Sequence, residues 1–173
     1  MRGQNKMKLI LLMAQTVDGK IARDSDHFPD WTASADKRFF AARTREAGVI
    51  IMGSRTFDTL GKALPGRKNV VMSRNLERVG RPPDLVFTAE APRRLLADLA
   101  AEGYREAILA GGARINSLFA AENLIDEIIV TISPRLFGSG LSLFDISLDL
   151  PLRLLEVRQP DANLVLLHYR VVR

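Results

Sequence analysis

Two glycines, Gly111-Gly112, separate a short apolar run, Ala107-Ala110, from a helical pattern, Ala113-Ala121. At a strand-to-helix turn of this kind, backbone N–H groups and the helix dipole can hold a phosphate, and the missing side chains let it come close. The pair also suits a tight turn that binds nothing, since the dinucleotide fingerprint G-x-G-x-x-G is absent. Gly53-Ser54-Arg55-Thr56 repeats the arrangement after the apolar run Val49-Met52. Two such turns at the carboxyl ends of parallel strands point to a dinucleotide crevice. Positive charge gathers in one stretch, where Arg67, Lys68, Arg74, Arg78 and Arg81 stand against a single acid, Glu77. It fits an anionic partner, either a phosphorylated small molecule or nucleic acid, or else a solvated loop face. Aromatics other than Phe87 and known nucleic-acid motifs are missing there, so a small molecule is expected and nucleic acid is not.

Asp36 stands in the first turn of the helical pattern Ser34-Ala47, with Ser34 expected as its N-cap. The helix dipole alone accounts for a carboxylate there; the alternative is a group that orients or protonates a substrate. Trp31, the single tryptophan, is either a core aromatic or part of a substrate wall. His27 and His168 have no partner at metal-ligand spacing and no G-x-S-x-G serine to serve, so both are assigned to structure and no metal is expected. The chain has no cysteine, which excludes disulfides and thiolate chemistry and leans towards a reducing cytoplasm.

The elements that must position these residues belong to a chain of 173 residues, 47% hydrophobic and 26% charged. That length fits one domain, residues 1–173, and the composition is that of a globular protein. Leu9-Ala14 is too short for a signal-peptide core or a membrane span and is expected as a buried strand. Further strands are expected at Val49-Met52, Lys68-Met72, Leu85-Thr88, Ala107-Ala110 and Ile125-Ile132, and helices at Ser34-Ala47, Ser54-Leu60, Pro92-Glu102 and Ala113-Ala121. Continuous apolar strands alternating with helices imply a mostly parallel α/β sheet covered on both faces. Leu152-Arg158 and Leu164-Val172, joined by the turn-rich Gln159-Asn163, read as a C-terminal antiparallel hairpin at its edge.

Three ordered stretches carry a resemblance: Val49 to Phe57, Leu64 to Arg74, and Leu109 to Arg114. They are similar to the cofactor-side motifs of the dihydrofolate reductase superfamily, and the resemblance extends from about Lys8 to the C-terminus. It implies a three-layer α/β fold, NADPH bound across the strand ends, and hydride transfer from the nicotinamide. Residue by residue, Ala14, Gly53, Ser54, Thr56, Ser73, Arg74, Gly111, Gly112, Arg114 and Ile115 match cofactor-contacting positions. Ser73 and Arg74 fall where a 2′-phosphate needs a hydrogen bond and a positive charge. Ser54 stands where dihydrofolate reductases often place an arginine.

Two branches of the superfamily compete. Thr16 to Ala22, Trp31 to Ser34 with Arg38 and Arg45 downstream, and Ser133 to Gly140 resemble the C-terminal reductase domain of the riboflavin-pathway deaminase-reductase. That resemblance implies a ribosylaminopyrimidine phosphate as substrate, with Asp36 on its polar edge and Ser34, Arg38 and Arg45 at its phosphate. Leu64 to Val71 looks more like dihydrofolate reductase itself, where Arg67 would hold the folate glutamate and Asp36 the pteridine. Lys37 replaces the apolar residue usual beside that aspartate, which suits a folate pocket poorly. The riboflavin-type substrate therefore ranks first and dihydrofolate second; a binding module without turnover is the third reading. The partner expected is a small molecule, a homodimer is left open, and no membrane is expected.

Overall fold

The apolar run at residues 9–14 extends at both ends in the computed structural model, forming β1 (Lys8–Thr16) through the centre of the molecule. The structure describes residues 7–75 and 77–173. After β1 come β2 (Lys20–Ala22), α1 (Ser34–Ala47), β3 (Val49–Gly53), α2 (Ser54–Leu60), β4 (Lys68–Met72) and β5 (Leu85–Thr88). Then follow α3 (Pro92–Ala101), β6 (Glu106–Leu109), α4 (Ala113–Ala121), β7 (Glu127–Ser133), β8 (Leu141–Ser142), β9 (Leu152–Asp161) and β10 (Leu164–Val171). The main sheet has the order β5-β4-β3-β6-β1-β7-β10-β9. It is parallel from β5 to β7; β10 turns antiparallel beside β7, and β9 lies outside it.

Alternation along β1 builds both cores. Leu9 and Leu11 face one side and join Leu95, Leu96 and Leu99 of α3 and Phe119 of α4. Ile10 and Leu12 face the other, with Ala47, Phe39 and Phe40 of α1, and α2 packs Phe57 and Leu60 on Ile50, Met52 and Val71 of that side. All four β1 residues are at most 2% exposed, the double burial that an apolar run without polar alternation requires. Three layers result. Every parallel strand ends on the same edge, so the segments that leave them gather there, which is where an open α/β sheet presents its crevice.

Several boundaries differ from the sequence expectation. Ala33, in extended conformation, precedes α1, and its carbonyl accepts the Lys37 amide. Ala33 is therefore the N-cap and Ser34 the first helical residue, with no side-chain cap. The C-terminal turn is tighter than expected, because Gln159, Pro160 and Asp161 continue β9. As the outermost strand, β9 tolerates a proline that lacks an N–H. The strands β2 and β8, which pair with each other, are too short to leave a periodic signal. Among the described residues no helix is long and apolar enough to cross a membrane.

Candidate active site

Asp36 lies in the first turn of α1, against the last residues of β1 and β7, and is 8% exposed. Thr131 of β7 donates its hydroxyl to Asp36 Oδ1 at 2.5 Å, and the register of β1 on β7 sets Ala14 beside Thr131. Burial pushes the Asp36 carboxyl above the usual aspartate range, against hydrogen bonds from Thr131 and Thr32 and the positive charge of Lys37. The donors on this carboxylate are hydroxyls, so it keeps acceptor capacity for N–H groups. Lys37 is exposed; its ammonium can stay in water while its four-carbon stem lines an apolar wall. Thr131 was not expected at the site. Its signal was a single hydroxyl in an apolar strand, which β-propensity explains as well.

Trp31 is buried and packs edge-on against Phe137, with ring centroids 5.3 Å apart. Ser34 and Arg38 are exposed on the first turns of α1, but Arg45 belongs to its last turn. Eleven residues of helix separate Ser34 from Arg45, about 16 Å, so the structure does not bring the three expected phosphate contacts together. Arg45 instead lies over Gly66, close to Arg67. Arg67 is buried and donates to Pro65 O at 2.9 and 3.1 Å, to Ala41 O at 3.3 Å and to Thr44 Oγ1. Burial first and Arg45 second lower its pKa, since each disfavours the cation.

Beyond the carboxyl ends of β3 and β6, Gly53, Ser54, Thr56, Gly111, Gly112 and Ile115 converge. The Gly53 amide donates to Gly111 O at 2.8 Å. Internal packing dictates two of these glycines: a Cβ on Gly53 would meet Ile115 Cγ1 at 2.8 Å, and one on Gly111, at φ +87°, would meet Met13 Cε at 2.7 Å. Gly112 is different. Its φ is −70°, and a Cβ there would meet only Thr56 Oγ1, at an ordinary 3.6 Å. The space beside Gly112 is therefore left unfilled, and the cradle open at the start of α4 fits a phosphate brought close to the backbone. Ser73 is buried with its hydroxyl accepting the Asn75 amide at 3.1 Å, while Arg74 beside it and Arg114 in the first turn of α4 are exposed. Small residues flanked by exposed arginines suit a dinucleotide with an additional phosphate.

Fold and site together define a class: a three-layer α/β domain with an open glycine turn at the start of α4 and a buried carboxylate in the first turn of α1. The chain belongs to the family of RibD C-terminal domains, whose description matches residues 7–166. It is 35% identical over 107 residues to dihydrofolate reductase type 3 of Salmonella typhimurium, a match that spans 62% of each chain. Its fold is similar to that of Acinetobacter baumannii RibD, with a TM-score of 0.85 and 20% identity over 98% of this chain and 59% of that one. It is also similar to dihydrofolate reductase from Enterococcus faecalis complexed with NADP(H), with a TM-score of 0.71 and 19% identity over 96% of this chain and 97% of that one. The fold is dihydrofolate-reductase-like.

Proposed function

We propose that the chain is an NADPH-dependent reductase whose substrate presents the N–H edge of a pyrimidine ring, free or fused within a pteridine, to Asp36. The observation that carries this reading is the buried Asp36 carboxylate, held by the hydroxyl of Thr131. In an apolar pocket such a group binds an N–H edge through charge-assisted hydrogen bonds worth about 1.5 to 3 kcal/mol each. Its raised pKa also brings it closer to holding the proton that a reduced C=N bond must gain. NADPH, when bound, supplies the hydride. Gly112 and Thr56 would hold its pyrophosphate and Ser73 with Arg74 its 2′-phosphate, with Ala14, Gly53, Ser54, Gly111, Arg114 and Ile115 lining the remainder.

Within this class the geometry favours a dihydropteridine with an acidic tail, as in dihydrofolate. Arg45, exposed and held beside the buried Arg67, stands nine residues along α1 from Asp36, about 13 Å, a span that suits a carboxylate at the far end of an elongated molecule. The ribosylaminopyrimidine phosphate, which the sequence ranks first, loses the argument from Lys37 because that side chain is exposed. The family match over residues 7–166 still favours it, with Ser34 and Arg38 as its phosphate contacts.

Oxidation of NADPH and of NADH, followed with each of the two substrates, tests the reading. The expected result is faster turnover of dihydrofolate, a preference for NADPH, and loss of about ten- to hundredfold of that preference in Arg74→Ala. Turnover of the ribosylaminopyrimidine phosphate alone would reverse the substrate ranking. Equal use of the two cofactors, unchanged in Arg74→Ala, would overturn the NADPH assignment, and no oxidation with either substrate would overturn the pyrimidine-edge reading.

A further inference from the structure

The turn after β1 and the segment after β7 are joined through one carboxylate. Asp18 accepts the Thr16 hydroxyl at 2.5 Å, the Phe137 amide at 3.2 Å from each oxygen, and the Gly138 amide at 2.7 Å. Thr16 Oγ1 in turn accepts the Lys20 amide at 2.9 Å, closing the turn on itself. The Thr16 hydroxyl, with the two amides, holds the Asp18 carboxyl below the usual range despite the opposing cost of burial. Two more contacts keep the segments in register: Val17 N donates to Arg135 O at 2.9 Å, and β2 pairs with β8. At Gly140, with φ +141°, a Cβ would come within 2.4 Å of Ala22 O, so the two backbones meet with no side chain between them.

The clamp decides where the Phe137 ring stands. Trp31 meets that ring edge-on, His27 packs on it with centroids 5.7 Å apart, and the Arg23 guanidinium carbon lies 4.4 Å from its centre. Trp31 Nε1 is buried and has no hydrogen-bond partner among the described residues. Its ring is thus held by packing and follows the surface it packs on. Five residues further on lies Asp36.

We propose that Asp18 is a positioning residue of the active site: by clamping the amides of Phe137 and Gly138 it fixes the seat of Trp31 and so sets the entry of α1 that carries Asp36. The Thr16-to-Ala22 and Ser133-to-Gly140 stretches are then two halves of one device. Its kinetic consequence rests on the reductase reading, but its structural consequence does not.

Trp31 is the only tryptophan, so intrinsic fluorescence reports its seat directly. In Asp18→Ala, with far-UV circular dichroism showing a folded domain, the emission maximum should move to the red. The Michaelis constant for the pyrimidine-edged substrate should rise on the order of tenfold, because small misplacements of a binding group are costly, while NADPH affinity stays unchanged. Asp18→Asn keeps one acceptor oxygen and should fall between wild type and Asp18→Ala. If Asp18→Ala does not fold, Phe137→Leu, which keeps apolar volume but removes the ring, carries the same two expectations. Wild-type emission in a folded variant would overturn the proposal, as would shifted emission with an unchanged Michaelis constant. Absence of turnover in the wild-type protein would overturn the reductase reading instead, and the emission comparison would still decide whether Asp18 seats Trp31.

Discussion

Asp36 and Glu127 are buried carboxylates on the same face of the sheet, one beside the end of β7 and the other at its start, and they are treated in opposite ways. Glu127 receives Lys8 Nζ at 2.7 Å, His168 Nε2 at 2.8 Å and Arg170 NH2 at 3.1 Å. Burial works against its charge, but these three hydrogen bonds overcome burial and hold its pKa at about 2. Asp36 has hydroxyl donors and a more distant Lys37, and burial prevails there. The edge where the strands begin is saturated with partners, and the edge where they end is left short of them. A carboxylate with every acceptor satisfied stabilises the fold but has nothing to offer a ligand; one held only by hydroxyls costs stability and keeps its affinity for N–H groups.

The contrast breaks most visibly at Asp36. Asp36→Asn should lower kcat/KM by roughly 10² to 10³ while leaving the urea midpoint unchanged or slightly raised, because the substitution removes a buried charge whose partners do not offset its burial. Steady-state NADPH oxidation and equilibrium unfolding of the same preparation check both halves.

Glu127→Gln should do the reverse. Lys8 and Arg170 lose their anion and His168 its carboxylate partner, and stability should fall by roughly 3 kcal/mol in a urea titration, with kcat/KM unchanged in the protein that remains folded.

Titration sharpens the comparison through its signs. Glu127 has a folded pKa of about 2 against an ordinary 4.5, so its contribution is complete above pH 4.5 and is lost as pH falls from 4.5 to 2. Asp36, with its folded pKa raised above 3.8, contributes in the opposite sense: it destabilises the ionised protein, and that penalty is relieved as pH falls through its folded value. Unfolding measured from pH 7 to 3 should therefore show less acid sensitivity in Glu127→Gln than in wild type. In Asp36→Asn it should show more.

The smallest expected effect belongs to Thr131→Val, which is nearly isosteric. Loss of the Thr131 hydroxyl, 2.5 Å from Asp36 Oδ1, should raise the Asp36 pKa further and lower kcat/KM about tenfold, with the acid limb of the pH–rate profile displaced to higher pH. An unmoved limb would mean that Thr131 serves packing alone.

Most of the fold is legible in the sequence. The helix at Ser54–Leu60 ends at Gly61, whose φ is 73°, and strands β4 and β5 fall on their apolar runs, because glycine stops and unbroken apolar runs are local signals. The two glycine turns that follow β3 and β6 were also legible, since glycines after apolar runs mark turns in one dimension. Legibility failed where partners come from far along the chain. Thr131 meets Asp36 from 95 residues away, and Asp18 meets Gly138 from 120 residues away. By residue type Arg45 belongs with Ser34 and Arg38 at a phosphate, but α1 sets Ser34 and Arg45 at its opposite ends.

What the sequence by itself determined is therefore everything that depends on neighbours within a turn or a strand: the alternation that buries Leu9 to Leu12 on two faces, the helix stops, and the order of motifs along the chain. Only the tertiary structure decided which polar groups lose their water and what replaces it. Asp36 and Glu127 are both acids at the edge of an apolar segment when read in one dimension. Layer packing buries each of them, and the strands and helix that arrive from elsewhere bring cations to one and hydroxyls to the other, which sends their charges in opposite directions.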